Sequence, residues 1–417
     1  MNARIAASIV LALFLLISIS YPNGLSLNSV GPKSLGMGGA FVGLANDYTA
    51  IFWNPAGLTQ LQKNTFGVFA TDIIPMGTYK LPAAKVDTKT MTNHYIAPNI
   101  MATQRFGFSD KAVFGLGIYV PAGLGAEWSG DDLKNAAGGK VYLWKTKIGI
   151  IDISPVVGYQ ISNEVSVGLA LNIFHSSFDL DRPGGGGINY SETSTGWGYA
   201  VTFSGLVKPT EQFSIGATLR TRTWVKMDGS ATDPLAQVLN PSAPVGSDFT
   251  RTMGWPMWIA GGIAYHPLNN LVLTADVQYS QWSSTENSFT AAYTDPQFNG
   301  VMKATNLNVL TMHWNDVTQI RVGGNYTVNE NLDIRAGYYH DPAPAPDATL
   351  NVLFPSISYN AITFGAGYKM DNFQFDLAGE YLIGSDREIP LTAVSPAMPG
   401  THGMNVPAFS VGVGYGF

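Results

Sequence analysis

The groups with which this chain could do chemistry are six histidines, 29 carboxylates, its serines and a few glycine-rich stretches; cysteine is absent. A zinc or copper centre needs His, Cys or carboxylate ligands converging at short, regular spacing. His94, His175, His266, His313, His340 and His402 are scattered singly and form no such set. Without Cys there is no thiolate metal site, no disulfide scaffold and no cysteine to carry a lipid anchor. No Gly-x-Ser-x-Gly nucleophile elbow occurs. Gly36-Met37-Gly38 lacks the third glycine of a dinucleotide loop, and Gly184–Gly187 lacks the Lys-Ser/Thr of a phosphate loop. Asp131-Asp132 and the pair Asp179 and Asp181 carry charge enough for Ca²⁺, or for lipopolysaccharide bridged by it, but solvated loop charge is the favoured reading. The sequence thus predicts no catalytic residue, no metal and no cofactor.

The elements that carry these residues are unusual in composition. Of 417 residues only 12% are charged, against about 25% in soluble domains. Aromatics make up 12% and there are 46 glycines. A chain that is 46% hydrophobic is not disordered. A net charge of −6 leaves no footprint for nucleic acid. A mean hydropathy of +0.09 is too low for a bundle of membrane helices. What remains is an architecture that hides its apolar residues in alternation.

The two ends say where such a chain goes. Arg4 precedes an apolar-to-small run from Ile5 to Ile19, with Ser18 and Ser20 placed for cleavage and Pro22-Asn23-Gly24 stopping the run. A charged start, an h-region of about 15 residues and a small-residue exit predict a signal peptide over residues 1–20; a spanning helix wants about 20 apolar residues. At the other end, Phe409, Val411, Val413, Tyr415 and Phe417 alternate with Ser410, Gly412, Gly414 and Gly416. Period 2 with one wholly apolar face is the pattern of a lipid-facing barrel strand. A terminal Phe417 with Tyr415 on such a strand resembles the assembly signal of bacterial outer-membrane barrels, which implies the barrel assembly machinery as a partner.

The same alternation predicts strands near 65–72, 94–106, 112–121, 144–160, 164–178, 195–207, 212–224, 257–266, 270–283, 316–328, 331–341, 360–369, 372–384 and 406–417. Asn172, Asp276, Gln278, Arg335, Asp376 and Glu380 fall on the alternate positions and must face a polar lumen, because lipid would leave them unsatisfied. Fourteen strands suit a closed antiparallel transmembrane β-barrel, an all-β membrane protein without open edges. Tight turns alternate with long loops (73–93, 122–143, 179–194, 225–256, 284–315, 342–359 and 385–405), as short periplasmic turns alternate with long external loops in such barrels. Residues 21–64 do not alternate and are glycine-rich; they are expected as a hatch plugging the barrel of residues 65–417.

These pieces, in this order, resemble the FadL family of outer-membrane transport proteins for long-chain fatty acids and other hydrophobic compounds. Gly38-Gly39-Ala40 followed by Asn54-Pro55-Ala56 is similar to the family's hatch. Phe114 to Trp128 resembles its third strand and following loop, and Trp255-Pro256-Met257-Trp258 leading to Gln281-Trp282 its eighth and ninth strands. Trp314-Asn315-Asp316-Val317, Arg321-Val322-Gly323, Arg335-Ala336-Gly337 and Asp341-Pro342-Ala343-Pro344 resemble the tenth and eleventh. The resemblance implies a monomeric, hatch-plugged barrel that works without ATP in the outer membrane of a Gram-negative bacterium. Apolar ligand would be caught among outer loops, pass to a pocket beside a gating hatch, and leave sideways through a wall gap at a kink in the third strand, here near Gly115 and Gly117. Phe41, Phe52, Trp53, Leu124, Trp128, Leu235, Leu239 and Trp255 become the expected ligand contacts, and Gly38, Gly39, Asn54, Pro55 and Ala56 the gating residues.

Two departures bear on the cargo. The segment 179–194 is short and holds Pro183 followed by Gly184–Gly187 where fatty-acid members carry a longer apolar loop, which leaves that half of the outer capture groove an open question. Asn315 stands where they carry a basic residue, which makes neutral hydrocarbons plausible cargo beside fatty acids. A lipid hydrolase assembled from distant strands and a general aqueous porin are the alternatives in other functional classes.

Overall fold

The computed structural model describes residues 24–27, 29–105, 110–285 and 288–417. The signal peptide expected over 1–20 lies outside them. Fourteen antiparallel strands form the wall: β1 (Thr65–Ile73), β2 (Tyr95–Arg105), β3 (Ala112–Trp128), β4 (Trp144–Gln160), β5 (Val165–Gly185), β6 (Ile188–Thr210), β7 (Phe213–Arg220 continued as Thr223–Thr232), β8 (Gly246–Trp255 continued as Trp258–Leu268), β9 (Leu271–Ser280), β10 (Val317–Thr327), β11 (Leu332–Asp341), β12 (Tyr359–Met370), β13 (Phe373–Gly384) and β14 (Gly400–Gly416). Each pairs with its neighbour in sequence, and β1 pairs with β14 from Thr65↔Gly416 to Ile73↔Ala408, which closes the cylinder. Closure leaves the wall without an open sheet edge between its first and last strands, the condition for strands in hydrocarbon.

All fourteen expected strands are present, and six (β3, β5, β6, β7, β8 and β14) run further outward than the alternation predicted. The expected loop over 179–194 is instead the outer end of the β5–β6 hairpin, paired from Asp179↔Thr193 to Gly185↔Ile188. Likewise β3 absorbs the start of 122–143, and β7 and β8 absorb most of 225–256. These extensions enclose an apolar interior that includes Phe178, Tyr190, Phe249, Tyr293 and Phe298. A buried ion pair, Arg251 with Glu192, is set into it, with Tyr190 donating to the same carboxylate.

Outside, the wall is a belt of exposed Val, Ile, Leu and aromatic side chains, among them Ile100, Leu116, Leu169, Phe203, Ile215, Leu273, Ile334, Phe364, Leu377 and Val411. Inside, residues 29–64 fill the lumen with α1 (Pro32–Gly36), α2 (Ala50–Trp53) and the 3-10 helix Pro55–Gln60. The wall is cut back to glycine where this hatch touches it. A Cβ on Gly168, Gly216, Gly262, Gly323 or Gly337 would come within 3.0 Å of hatch backbone. Much of the glycine surplus therefore lets two backbones approach each other.

Candidate functional site

The hatch is fastened to the wall by polar groups whose partners sit far away in sequence. Asp276 of β9 accepts from the N–H groups of Phe41 (2.8 Å) and Val42 (2.9 Å). Arg321 of β10 donates to the Gly38 carbonyl (3.0 Å), and Thr363 of β12 accepts from the Gly38 N–H (2.9 Å). Gly38 and Gly39 have φ of +66° and +65°, and a Cβ on Gly38 would meet the Val322 carbonyl at 2.9 Å. Glycine is required there on both counts. Asn54 is fully buried and caps the 3-10 helix, accepting from the Ala56 N–H at 3.2 Å. Its amide donates to the carbonyls of Val42 (2.9 Å) and Gly205 (3.0 Å), so one side chain joins two hatch segments to β6. Pro55 opens that helix at a position where its missing N–H costs nothing.

Above the hatch a small cavity of about 60 Å³ is lined by Phe52 and Trp53 of α2, Pro121, Ile150, Phe174, Arg220, Trp255, Trp258, Gln278 and the N-terminal residues Ser26 and Leu27. Arg220 is the residue of consequence. Its guanidinium lies over the rings of Phe52 (4.8 Å) and Trp258 (5.3 Å) and donates to the Phe52 carbonyl and the Thr202 hydroxyl (both 3.2 Å). Among the described residues no carboxylate forms an ion pair with it. Asp152 acts on it only at longer range, since its own oxygens are held by Tyr119, Ser154 and Asn172. By contrast, Arg251 and Arg335 are paired with Glu192 and Asp376. The buried indole N–H of Trp255, on the same cavity, has no acceptor among the described residues. A buried donor without a partner is costly, so this cavity is chemically set for an oxygen-bearing guest with an apolar body.

The wall beside this cavity is incomplete. β2 and β3 pair only from Arg105↔Val113 to Ile100↔Ile118. Beyond that β3 bulges: its register with β4 shifts between Tyr119 and Ala122. Contact with the β1–β2 connection resumes at Glu127 and Trp128, where the Met91 N–H donates to the Glu127 carbonyl (2.8 Å) and Thr90 bridges Trp128. Asn99 fills part of the break by accepting from the Val120 N–H at 2.9 Å. The N-terminal segment fills another part: Leu27 donates to the Pro121 carbonyl, and Gly123 to that of Leu25 (both 2.9 Å), with Ser26 bridging Ala122. A cavity of about 670 Å³ runs through the break, lined by lumen residues such as Tyr359 and Glu380 and by outward-facing Ile96, Ile118 and Ile151. Ser26, Leu27, Ala122 and Ile150 border both cavities.

Comparison with known proteins places this geometry. A family profile described as outer membrane protein transport protein (OMPP1/FadL/TodX) matches residues 15–417. The chain belongs to this family. It is accordingly a Gram-negative outer-membrane barrel of a family made of transport channels rather than enzymes. Outer membrane protein P1 of Haemophilus influenzae is 21% identical over 90% of this chain and 89% of its own length. A Neisseria meningitidis chain named as an outer membrane protein is 32% identical, over only 21% of each chain. The fold is similar to that of a Pseudomonas aeruginosa FadL homologue (TM-score 0.77, 18% identity, 94% of this chain and 100% of that one). It is also similar to that of the Pseudomonas putida toluene transporter TodX (TM-score 0.72, 17% identity, 94% and 99%).

The residues expected from the family motifs are brought together only in part. Phe52, Trp53 and Trp255 line the inner cavity and Leu124 the wall break. Phe41 is wholly buried in the hatch against Trp53, and touches neither. Trp128 donates to the Val352 carbonyl (2.9 Å) and packs edge-on to Tyr79, in the outer core. Leu235 and Leu239 lie on the outer helix Leu235–Leu239, where Leu239 is 55% exposed. The kink expected at Gly115 and Gly117 falls further along, at Tyr119–Ala122. Those two glycines sit in regular ladder, and a Cβ on either would strike Ile51 of the hatch (3.1 and 2.8 Å). Asn315 is turned to the Pro344 carbonyl and is no substitute for a pocket cation; the cation is Arg220. Its strand shows it: Ser214, Gly216, Thr218 and Arg220 share the inward parity opposite Ile215, Ala217 and Leu219.

Proposed function

We propose that this barrel is a passive uptake channel for amphipathic carboxylates, with long-chain fatty acids as the class that suits it best. The observation that carries the reading is Arg220, which among the described residues has no carboxylate ion-pair partner, with the Trp255 indole N–H, in a cavity walled by Phe52, Trp53, Phe174 and Trp258. Apolar surface gains about 25 cal/mol per Å² on leaving water, so capture from outside needs no energy source. The exposed Val238 and Leu239 of the outer helix suit first contact. The head group would then be held by Arg220, with the tail lying past Ser26 and Leu27 into the larger cavity. Lateral release follows when the N-terminal segment leaves the β3 edge, because that segment separates the inner cavity from the wall break. The hatch fastening at Asn54, Gly38 and Asp276 keeps the lumen shut to water meanwhile.

A neutral monoaromatic cargo is the second reading. The small volume and aromatic walls of the inner cavity favour it, as does the likeness in fold to a protein described as a toluene transporter. Binding to the purified barrel separates the two. Arg220→Met is expected to weaken a long-chain fatty acid about tenfold or more, as loss of a charge-assisted hydrogen bond does, and to leave the matching alkane and toluene unchanged. Equal effects on acid and alkane would overturn the carboxylate assignment, and no saturable binding of any of the three would overturn transport of hydrophobic compounds.

A further inference from the structure

A third concavity, of about 840 Å³, lies on the lipid-facing side of the wall, away from the lumen. It is built from two rows of side chains that cross the strands at one level. One row is Pro98, Ala70, Val411 and Leu377, on β2, β1, β14 and β13, each register-paired with the next. The other is Ile118, Ile100, Val68, Val413 and Phe375, from β3 to β13. The short side chains of Ala70 and Pro98 make the hollow between larger neighbours. Its size falls within the range of about 300–1,000 Å³ seen for small-molecule sites. Four strand spacings of about 4.8 Å give it a length of roughly 19 Å, the scale of a long alkyl chain. It has almost no polar surface and holds no charged side chain facing outward; the Asp376 and Asn99 side chains on these strands are buried, with inward parity.

The position of this groove is what gives it a role. Pro98 and Ile118 line both the groove and the cavity through the wall break. The cavity through the break and the groove therefore meet at Pro98 and Ile118, and an apolar path through Ile96, Ile118 and Pro98 turns from the break along the wall toward the β1–β14 seam. We propose that the groove is an exit site: the alkyl chain of a departing ligand lies in it, head still at the break, before the whole molecule joins the bilayer. This rests on lateral release as the direction of transport. The physical gain is that the tail never has to open a gap in packed lipid at the moment of escape. It passes from the apolar side chains at the break directly onto those of the groove, so this step does not expose it to water.

The absence of native cysteine makes the test direct. In nanodiscs, a bimane label at Val411→Cys is quenched by a brominated long-chain fatty acid loaded at one per barrel. A label at Ala275→Cys, on the lipid face of β9, is the reference. Stronger quenching at position 411 is expected; equal quenching means bilayer lipid alone fills the groove and overturns the proposal. Ala70→Phe, which fills the hollow from the lipid side, is expected to slow transfer of the bound fatty acid to the bilayer about tenfold with unchanged binding affinity. Ala275→Phe should do neither. A Ser26→Cys, Ala122→Cys disulfide pins the N-terminal segment over the break. If that lock stops transfer while Ala70→Phe has no effect, the groove is not an exit site although release is lateral. If the lock has no effect, lateral release itself is wrong.

Discussion

At the residue scale, a few side chains decide whether the hatch stays in place. Asp276 takes two hatch N–H groups on one carboxylate oxygen. Asp276→Ala leaves both unsatisfied inside the lumen, at about 1–3 kcal/mol each. The expected outcome is a lower midpoint of thermal unfolding and a resting ion current in planar bilayers where the parent barrel passes almost none. Gly38→Ala attacks the neighbouring hatch contact, with β10 and β11, through a positive φ and the Val322 carbonyl 2.9 Å away, and should lower the same midpoint. Unchanged melting in both would count against the fastening described. The Asn-Pro-Ala motif was legible in the sequence because its chemistry is local: a cap, a proline at the first helical position, a turn. Asp276 was legible only as a polar residue on an inward parity. That it meets residues 41 and 42 depends on how the hatch lies in the lumen, which no local pattern records. Arg220 is a similar case, since its meaning lies in the carboxylate that does not face it.

At the element scale, β3 and the N-terminal segment form one device. The bulge at Tyr119–Ala122 frees the β3 edge from β2, and Leu25–Leu27 is added to that edge as a short extra strand. Leu27→Pro removes the N–H that reaches the Pro121 carbonyl. It is expected to speed exchange of bound fatty acid with the bilayer several-fold, read by stopped-flow transfer, without loss of barrel fold. No change in rate would mean that the segment does not control the break. The alternation located β3 but not its bulge, because glycines at 115 and 117 look like bend points whether they serve a bend or a close neighbour. The outer half of the β5–β6 hairpin was missed for a different reason. Above the membrane both faces meet polar surroundings or the protein's own core. Asp179, Asp181, Ser191 and Thr193 then replace the outward apolar residues that mark strands in lipid.

For the whole molecule, the low charge and high glycine content have separate origins. The first belongs to the lipid belt and the second largely to the fit between wall and hatch. Fold class and strand number were legible because fourteen repeats of a two-residue period leave little freedom. The transport route was not, since its three cavities draw on nine or more separated segments. The C-terminus is a feature of the complete barrel too. Phe417 donates its N–H to the Asn64 carbonyl, and its ring stacks on Tyr415 at 5.9 Å, which in turn meets Phe373 at 4.8 Å. Its ring is exposed to the surroundings. Deleting Phe417 is expected to reduce the yield of heat-modifiable barrel in cells severalfold, while the protein that does fold melts close to the parent. Undiminished yield would remove the assembly role.

The pairing of Thr65 with Gly416 also sets an order of events. The ladder that closes the wall joins the two ends of the strand series, so the ring cannot shut until both end strands are in place. Loop-closure entropy rises only logarithmically with length, and so long a wait costs little at equilibrium, though it slows folding. The hatch is joined directly to β1, one of the two strands of that closing ladder. The ring can be drawn shut around its own contents, whereas a plug docked afterwards would have to be threaded into a finished cylinder.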